Sequence, residues 1–187
     1  RLLASGAERI RVLSRDEVKQ AAMAIPYIGE TRLGFFLGDV RDQARLVDAF
    51  YGCDTVIHAA ALKRVDAVAY NPSEVRKTNI EGSANVTAAA LKAGVAKVLM
   101  ISSDKAVEPT NIYGVTKAAM EFEAVASNAI TYPRGTRVSV LRYGNVMGSR
   151  GSVIHAWRAA IREGRPLPLT HPEMTRFWLT LDDAVTC

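Results

Sequence analysis

Two cysteines in 187 residues, Cys53 and Cys187, lie far apart and match no metal-ligand or redox spacing. A disulfide framework is not expected, and incidental or buried thiols in a reducing compartment fit better. The chain also lacks any apolar run near the ~18 residues of a membrane span, and no charged-then-apolar leader precedes the first hydrophobic stretch. A cytoplasmic protein with no membrane segment in these residues is the expectation. The 24 basic against 19 acidic residues leave a formal charge of +5, which suits an anionic ligand. That charge is spread along the chain without a basic run or interleaved aromatics, so nucleic acid is excluded as the expected partner. Repeats and low-complexity tracts are absent too.

What is present is alternation. Apolar stretches at Arg9 to Leu13, Arg32 to Leu37, Thr55 to Ala59, Lys97 to Ser103 and Arg137 to Tyr143 read as strands. Between them, helical periodicity marks Asp42 to Tyr51, Ser73 to Ala93, Asn111 to Asn128 and Ser152 to Glu163, with Ser73 and Ser152 as N-caps and Gly94 and Gly164 as stops. Nearly half the residues are apolar, enough for one sizeable core. The order implies an α/β protein with a Rossmann-like, doubly wound, mostly parallel sheet. After Gly164 the pattern changes: Pro166, Pro168 and Pro172 punctuate a segment resuming as a short strand, Arg176 to Leu181. Residues 1–165 thus read as a dinucleotide-binding domain and 166–187 as the beginning of a smaller substrate lobe.

A dinucleotide-binding sheet should open with a strand and a glycine-rich turn whose amides meet the pyrophosphate. This sequence has neither, and begins without methionine on Arg1 to Gly6, which reads as the last turn and stop of a helix. The expectation is an internal segment of a longer protein, truncated at its first strand. In strand order 3-2-1-4-5-6 that strand is central, so the strands at Arg9 and Thr55 should lack the neighbour between them.

The chemistry-bearing segment is Asn111-Ile112-Tyr113-Gly114-Val115-Thr116-Lys117, preceded by Ser102-Ser103-Asp104-Lys105 at a strand end. A tyrosine and lysine four apart share a helix face, where the ammonium can stabilise a phenolate. Elsewhere such a pair is an ordinary solvated i,i+4 contact. Here it stands outside the carboxyl end of a strand, where open α/β sheets keep their sites. Ser14, Arg15 and Lys19 offer a hydroxyl and two cations at the end of the first strand, which argues for a 2′-phosphate, hence NADP ahead of NAD; the alternative is an exposed helix start, whose dipole Asp16 and Glu17 would suit. Asp39 fits either an adenine contact or a turn. His58 reads as a satisfied core or turn histidine. Gly144 to Gly151 is a glycine-rich loop entering a helix at Ser152, able to present amides to an anion.

Taken in order, these segments resemble the extended short-chain dehydrogenase/reductases, and among them the inverting UDP-N-acetylglucosamine 4,6-dehydratases. The likeness is carried by Leu13 to Lys19, Gly38 to Asp42, His58 to Lys63, Ser-Asp-Lys, Tyr-x-x-x-Lys, Arg142 to Val153 and Met174 to Thr180. The resemblance implies a lyase that oxidises C4 of a UDP-sugar transiently, eliminates water across C5 and C6, and restores the hydride. It implies Tyr113 as the C4 base, Ser103 orienting the hydroxyl, Lys117 lowering the tyrosine pKa, Lys105 as C5 base and Asp104 as proton donor to the C6 hydroxyl. Cofactor contacts are implied for Ser14, Arg15, Asp16, Lys19, Asp39, Val40, Ala59, Lys63, Tyr113, Lys117, Val146, Gly148, Ser149 and Arg150. Substrate contacts are implied for Lys63, Asn145 and Val153, and no metal ligands. It further implies a homo-oligomer pairing through helices 73–93 and 111–128. A nucleotide-sugar epimerase would use the same tyrosine and lysine but has no task for Asp104-Lys105. A non-catalytic NADP-binding regulator would tolerate a damaged Tyr/Lys pair, and this pair is intact.

Overall fold

The computed structural model describes residues 1–64, 69–131, 135–149 and 152–186. Its strands are β1 (Ile10–Ser14), β2 (Leu33–Leu37), β3 (Thr55–His58), β4 (Lys97–Ile101), β5 (Arg137–Leu141), β6 (Asn145–Val146) and β7 (Trp178–Leu179). The helices are α1 (Glu17–Ala24), α2 (Gln43–Phe50), α3 (Pro72–Arg76), α4 (Gly82–Ala93), α5 (Ile112–Ala126), α6 (Asn128–Thr131), α7 (Val153–Arg162) and α8 (Leu181–Thr186). Strand–helix alternation with parallel pairing throughout makes this a Rossmann-like doubly wound fold.

The sheet is split. β1 pairs with β2 from Ile10 opposite Leu33 to Ser14 opposite Leu37, while β3, β4 and β5 form a separate three-stranded sheet. Among the described residues no ladder joins β1 to β3, so each keeps an edge unpaired by the other, as the sequence reading expected. Residues 1–6 form a turn closed by Ser5 N to Arg1 O and Ala7 N to Leu2 O, with Gly6 at φ +88°. That six-to-one bond over a left-handed glycine is a helix stop, as read from the sequence.

Within the three-stranded sheet the period-two pattern determines which side is buried. Val56, Val98 and Val138 stand in one register row, His58, Met100 and Val140 in the next, and this face packs under α4 and α5. Leu46 from α2 and Val86, Ala89, Ala90, Met120 and Ala124 from α4 and α5 complete the core. The opposite face carries Thr55, Ile57, Lys97 and Arg137, all exposed.

Most strands end one or two residues before the sequence pattern did. The larger departure is Ser73 to Ala93, expected as one helix capped by Ser73. It starts instead after Asn71 with Pro72 in the first turn, and is interrupted by a π-helical turn at Lys77–Glu81. That extra residue per turn swings Asn79 into the core, where it is wholly buried. Gly94 ends α4 in the left-handed conformation, as expected. α1, weighed in the sequence only as the alternative reading of Arg15 to Lys19, is capped by Asp16, whose carboxylate accepts from Lys19 N at 2.9 Å.

Two open edges and an exposed Ile57 (51%) make strand-to-strand pairing between copies the expected liability of the 187-residue chain. Light scattering should show its mass rising with concentration, and Ile57→Lys on β3 should suppress that rise. A monodisperse monomer across the range would show that the edges are protected.

Candidate active site

α5 begins where Asn111, in extended backbone, accepts from the Gly114 amide at 3.0 Å. A side chain at Gly114 would run into the Lys105 carbonyl and the Pro109 ring. Glycine therefore lets the first turn of the helix press against the 3-10 turn Asp104–Ala106 that follows β4. This contact brings Tyr113 to Ser103. Burial pushes the Tyr113 phenol above its usual pKa, its hydrogen-bond contact with the Ser103 hydroxyl pulls it back, and Tyr143 and Asp104 add to the rise. The expected lowering by Lys117 is not what dominates here.

Lys117, one turn further along, is 3% exposed. Its Nζ donates to the Ile101 carbonyl at 2.6 Å, and burial lowers its pKa to about 8 against the opposing pull of the Glu121 carboxylate. An ammonium carries three donors. Among the described residues only Ile101 O takes one.

At the mouth of the site Lys105 Nζ lies 3.0 Å from Asp104 Oδ1 and 2.9 Å from Asn145 Oδ1, and Ser103 Oγ donates to Asp104 at 2.9 Å. Burial would raise the Asp104 pKa, but the hydrogen bonds from Lys105 and Ser103 outweigh it and hold the carboxyl low. Asn145 reaches Lys105 because β6 pairs with β7, and Gly144 has no side chain to strike the Phe177 carbonyl. Thus Ser103, Asp104, Lys105, Tyr113, Lys117 and Asn145 gather at the carboxyl ends of β4 and β5.

The other predicted residues stand apart from that group. Ser14 ends β1 and its Oγ accepts from Asp16 N at 3.1 Å; Asp39, after β2, accepts from Arg41 N at 3.0 Å. Val40 is buried in the core, Ala59 is exposed at the end of β3, and Lys63 is exposed on the loop that follows. Val146, Gly148 and Ser149 form the turn before α7, where Ser149 N donates to Val146 O at 3.2 Å, and Val153 is partly exposed at its first position. Arg150 lies outside the described residues, as does Cys187; Cys53 is a half-buried free thiol. His58 is buried against Ser83 Oγ at 2.9 Å, its pKa lowered to about 4 by burial and by the Lys117 charge. It is neutral and structural, in line with its sequence reading.

Sequence reading missed Asn79, Glu121 and Arg142. Asn79 holds the loop after β3 by both Leu62 backbone groups (2.8 and 3.0 Å) and touches Thr116 Oγ1 at 3.1 Å, so it ties that loop to α5. A turn of π-helix has no sequence signature, but Glu121 continues the four-residue spacing of Tyr113 and Lys117 and was within reach of pattern reading.

A parallel α/β sheet whose strand ends collect this serine, tyrosine and lysine defines an extended short-chain dehydrogenase/reductase. The chain belongs to the polysaccharide biosynthesis protein family, whose profile matches residues 1–187. It is 48% identical over 178 residues to an inverting UDP-N-acetylglucosamine 4,6-dehydratase of Campylobacter jejuni, covering 95% of this chain and 53% of the relative. It is 46% identical over 178 residues to a UDP-glucose 4-epimerase of Rickettsia typhi, covering 95% and 52%. The chain thus spans about half the length of the curated relatives it matches. Among solved structures, Pen from Bacillus thuringiensis matches with TM-score 0.92 at 37% identity, over 96% of this chain and 57% of that one. A dTDP-glucose 4,6-dehydratase from Streptomyces venezuelae, solved with NAD and TYD bound, matches with TM-score 0.84 at 26% identity, over 99% and 64%.

The expectation of NADP is corrected. That dehydratase and further solved relatives hold NAD. The local electrostatics show why the cations misled: Arg15 pairs with Asp39 at 3.4 Å and Lys19 with Asp16 at 2.5 Å. Arg15 and Lys19 are therefore each paired with a carboxylate rather than free beside the end of β1. Carboxylates at this position instead suit ribose hydroxyls, as in NAD-binding sheets.

Gly114→Ala should force α5 away from the Lys105 turn. Urea denaturation should show a loss of ~1–3 kcal/mol, typical of overpacking against fixed atoms, and amide NMR shifts should move at Ser103 to Lys105. Wild-type stability with unmoved shifts would contradict the close approach.

Proposed function

We propose that the chain carries the catalytic half of an inverting UDP-N-acetylglucosamine 4,6-dehydratase, forming UDP-2-acetamido-2,6-dideoxy-β-L-arabino-hexos-4-ulose with NAD as the dinucleotide. The observation that carries this is the placement of the Asp104–Lys105 pair beside Tyr113 and Lys117, two acid–base sets at one strand end. The C. jejuni relative supports the same reading. The residues present fit the dinucleotide: Lys117 has unused donors in a buried position, Ala59 leaves open space at the end of β3, and Ser14 and Asp39 flank the end of β1. When bound, NAD would accept the C4 hydride and return it at C6, so no net oxidation occurs.

The rest is proton chemistry by the chain's own groups. Tyr113 must first release its own proton to solvent, a step that the positive charge of Lys117 and of the oxidised dinucleotide would favour; as phenolate it takes the C4 hydroxyl proton while Ser103 orients that hydroxyl. The resulting ketone acidifies the C5 proton, Lys105 Nζ removes it, and Asp104 protonates the C6 hydroxyl, which leaves as water. Reprotonation at C5 comes from the opposite face. Since Lys105 and Asp104 rest as an ion pair, these roles require a proton to pass from Nζ to Oδ1 across their 3.0 Å contact. Lys63 and Asn145, with Val153 and the loop from Val146 to Arg150, are assigned to the sugar diphosphate and nicotinamide side. Residues 166–187 are assigned to the start of a substrate lobe. Exposed Val115, Phe122 and Val125 on α5 support pairing of the 73–93 and 111–128 helices in a homo-oligomer. No helix among the described residues is long and apolar enough to cross a membrane, which supports a cytoplasmic setting.

A second reading, nucleotide-sugar epimerase, is favoured by the similarity to the Rickettsia enzymes. Incubation of the intact enzyme with UDP-N-acetylglucosamine separates the two by NMR: a C6 methyl marks dehydration, a C4-inverted sugar with its C6 hydroxyl marks epimerisation. Lys105→Met should lower turnover at least ~100-fold and abolish deuterium exchange into C5, while Tyr113→Phe should block the first oxidation. Wild-type exchange in Lys105→Met would remove Lys105 from its role and the inverting stereochemistry with it.

A further inference from the structure

We infer that Glu121 is a positioning residue for the proposed reaction, acting through Lys117 and through the strand end that bears Ser103. It sits on α5 one turn beyond Lys117 and two beyond Tyr113, and is 7% exposed. Its carboxylate joins three things. Ser102 Oγ donates to Oε1, and Arg142 Nε lies 3.0 and 2.9 Å from the two oxygens, with a second guanidinium nitrogen on Oε2. Ser102 lies between Ile101, whose carbonyl receives Lys117, and Ser103, whose hydroxyl meets Tyr113. Arg142 directly follows β5, and the same two strand ends are stitched by Ser102 N to Leu141 O (2.7 Å) and Asp104 N to Tyr143 O (3.0 Å). One side chain therefore fixes both strand ends relative to the catalytic helix. The inference rests on the dehydratase reading for its chemistry and on these contacts for its geometry.

The electrostatics agree with that placement. Burial pushes Lys117 towards its neutral form, and Glu121 is the group that opposes this. Of the other charged or titratable groups on elements packed about the lysine, Lys92, Lys97, Glu123 and Arg137 are exposed to solvent and the rest are engaged elsewhere. His58 on β3 is neutral and bonded to Ser83, Asp104 and Lys105 pair with each other, and Arg142 is taken up by Glu121. Glu74, Arg76, Lys77 and Glu81 pair at the surface, with Arg41. Tyr113 is a phenol with a raised pKa.

Two variants of the intact enzyme, Glu121→Gln and Glu121→Asp, test this. Gln keeps an acceptor and the side chain's size but removes the charge. By ¹³C NMR of the Lys117 side chain, assigned with Lys117→Met, titration at about 8 in the wild type should fall by about one unit in Glu121→Gln. The basic limb of the kcat/KM profile should move to lower pH with it, while thermal melting shows the variant folded. Glu121→Asp should keep the titration but, by shifting Ser102, lower kcat about tenfold or more. A folded Gln variant with unmoved Lys117 titration would overturn the inference. Should Gln not fold, an Asp variant with unchanged kcat overturns it instead. The titration is read without substrate, so it stands whether the enzyme dehydrates or epimerises its sugar.

Discussion

A lysine ammonium buried to 3% exposure is the constraint around which this site is organised. Charge removed from water is costly unless it is paired and hydrogen-bonded, and a single carbonyl is too little for an ammonium. The protein answers by placing Glu121 one turn along the same helix and anchoring its carboxylate from both neighbouring strand ends, through Ser102 and Arg142. Each anchor restricts a backbone segment that carries chemistry. The ends of β4 and β5 cannot move independently of α5, so Ser103 stays at Tyr113. Gly114 sets the remaining distance by allowing the helix to touch the Lys105 backbone.

The second pair, Asp104 and Lys105, is held by different means. It is partly solvated and its partners sit on a separate small sheet: Asn145 lies on β6, which exists only through its pairing with Trp178 and Leu179 of β7. A segment more than thirty residues downstream in sequence thus determines where the Lys105 amine rests. Tyr113 and Lys117 depend on the interior, whereas Lys105 depends on a surface seam, the more adaptable of the two.

The cofactor correction turns on pairing. Arg15 and Lys19 count as two cations in a sequence, but in space each is answered by an aspartate, one of them the cap of α1. Surface pairs of this kind contribute ~0–1 kcal/mol to stability. The split between β1 and β3 bears on the same region, since the pyrophosphate-binding turn of such a sheet belongs to the strand between them.

The alternating pattern from Ile10 to Leu141 was enough to read parallel α/β order and most strand starts to within a residue, because period-two burial is written directly in residue order, while the unpaired edges of β1 and β3 were read from the absence of a glycine-rich turn. The π turn that buries Asn79 could not be read, since an inserted residue in a helix is set by what packs around it. Neither could the matching of Arg15 to Asp39, the meeting of Asn145 with Lys105, or the clamp of Ser102 and Arg142 on Glu121. These join residues 19 to 40 positions apart. The sequence by itself determined which chemical groups the chain carries and which strand ends bear them; the tertiary structure decided which of their charges are neutralised, and by what, because charge pairing depends on distance in space.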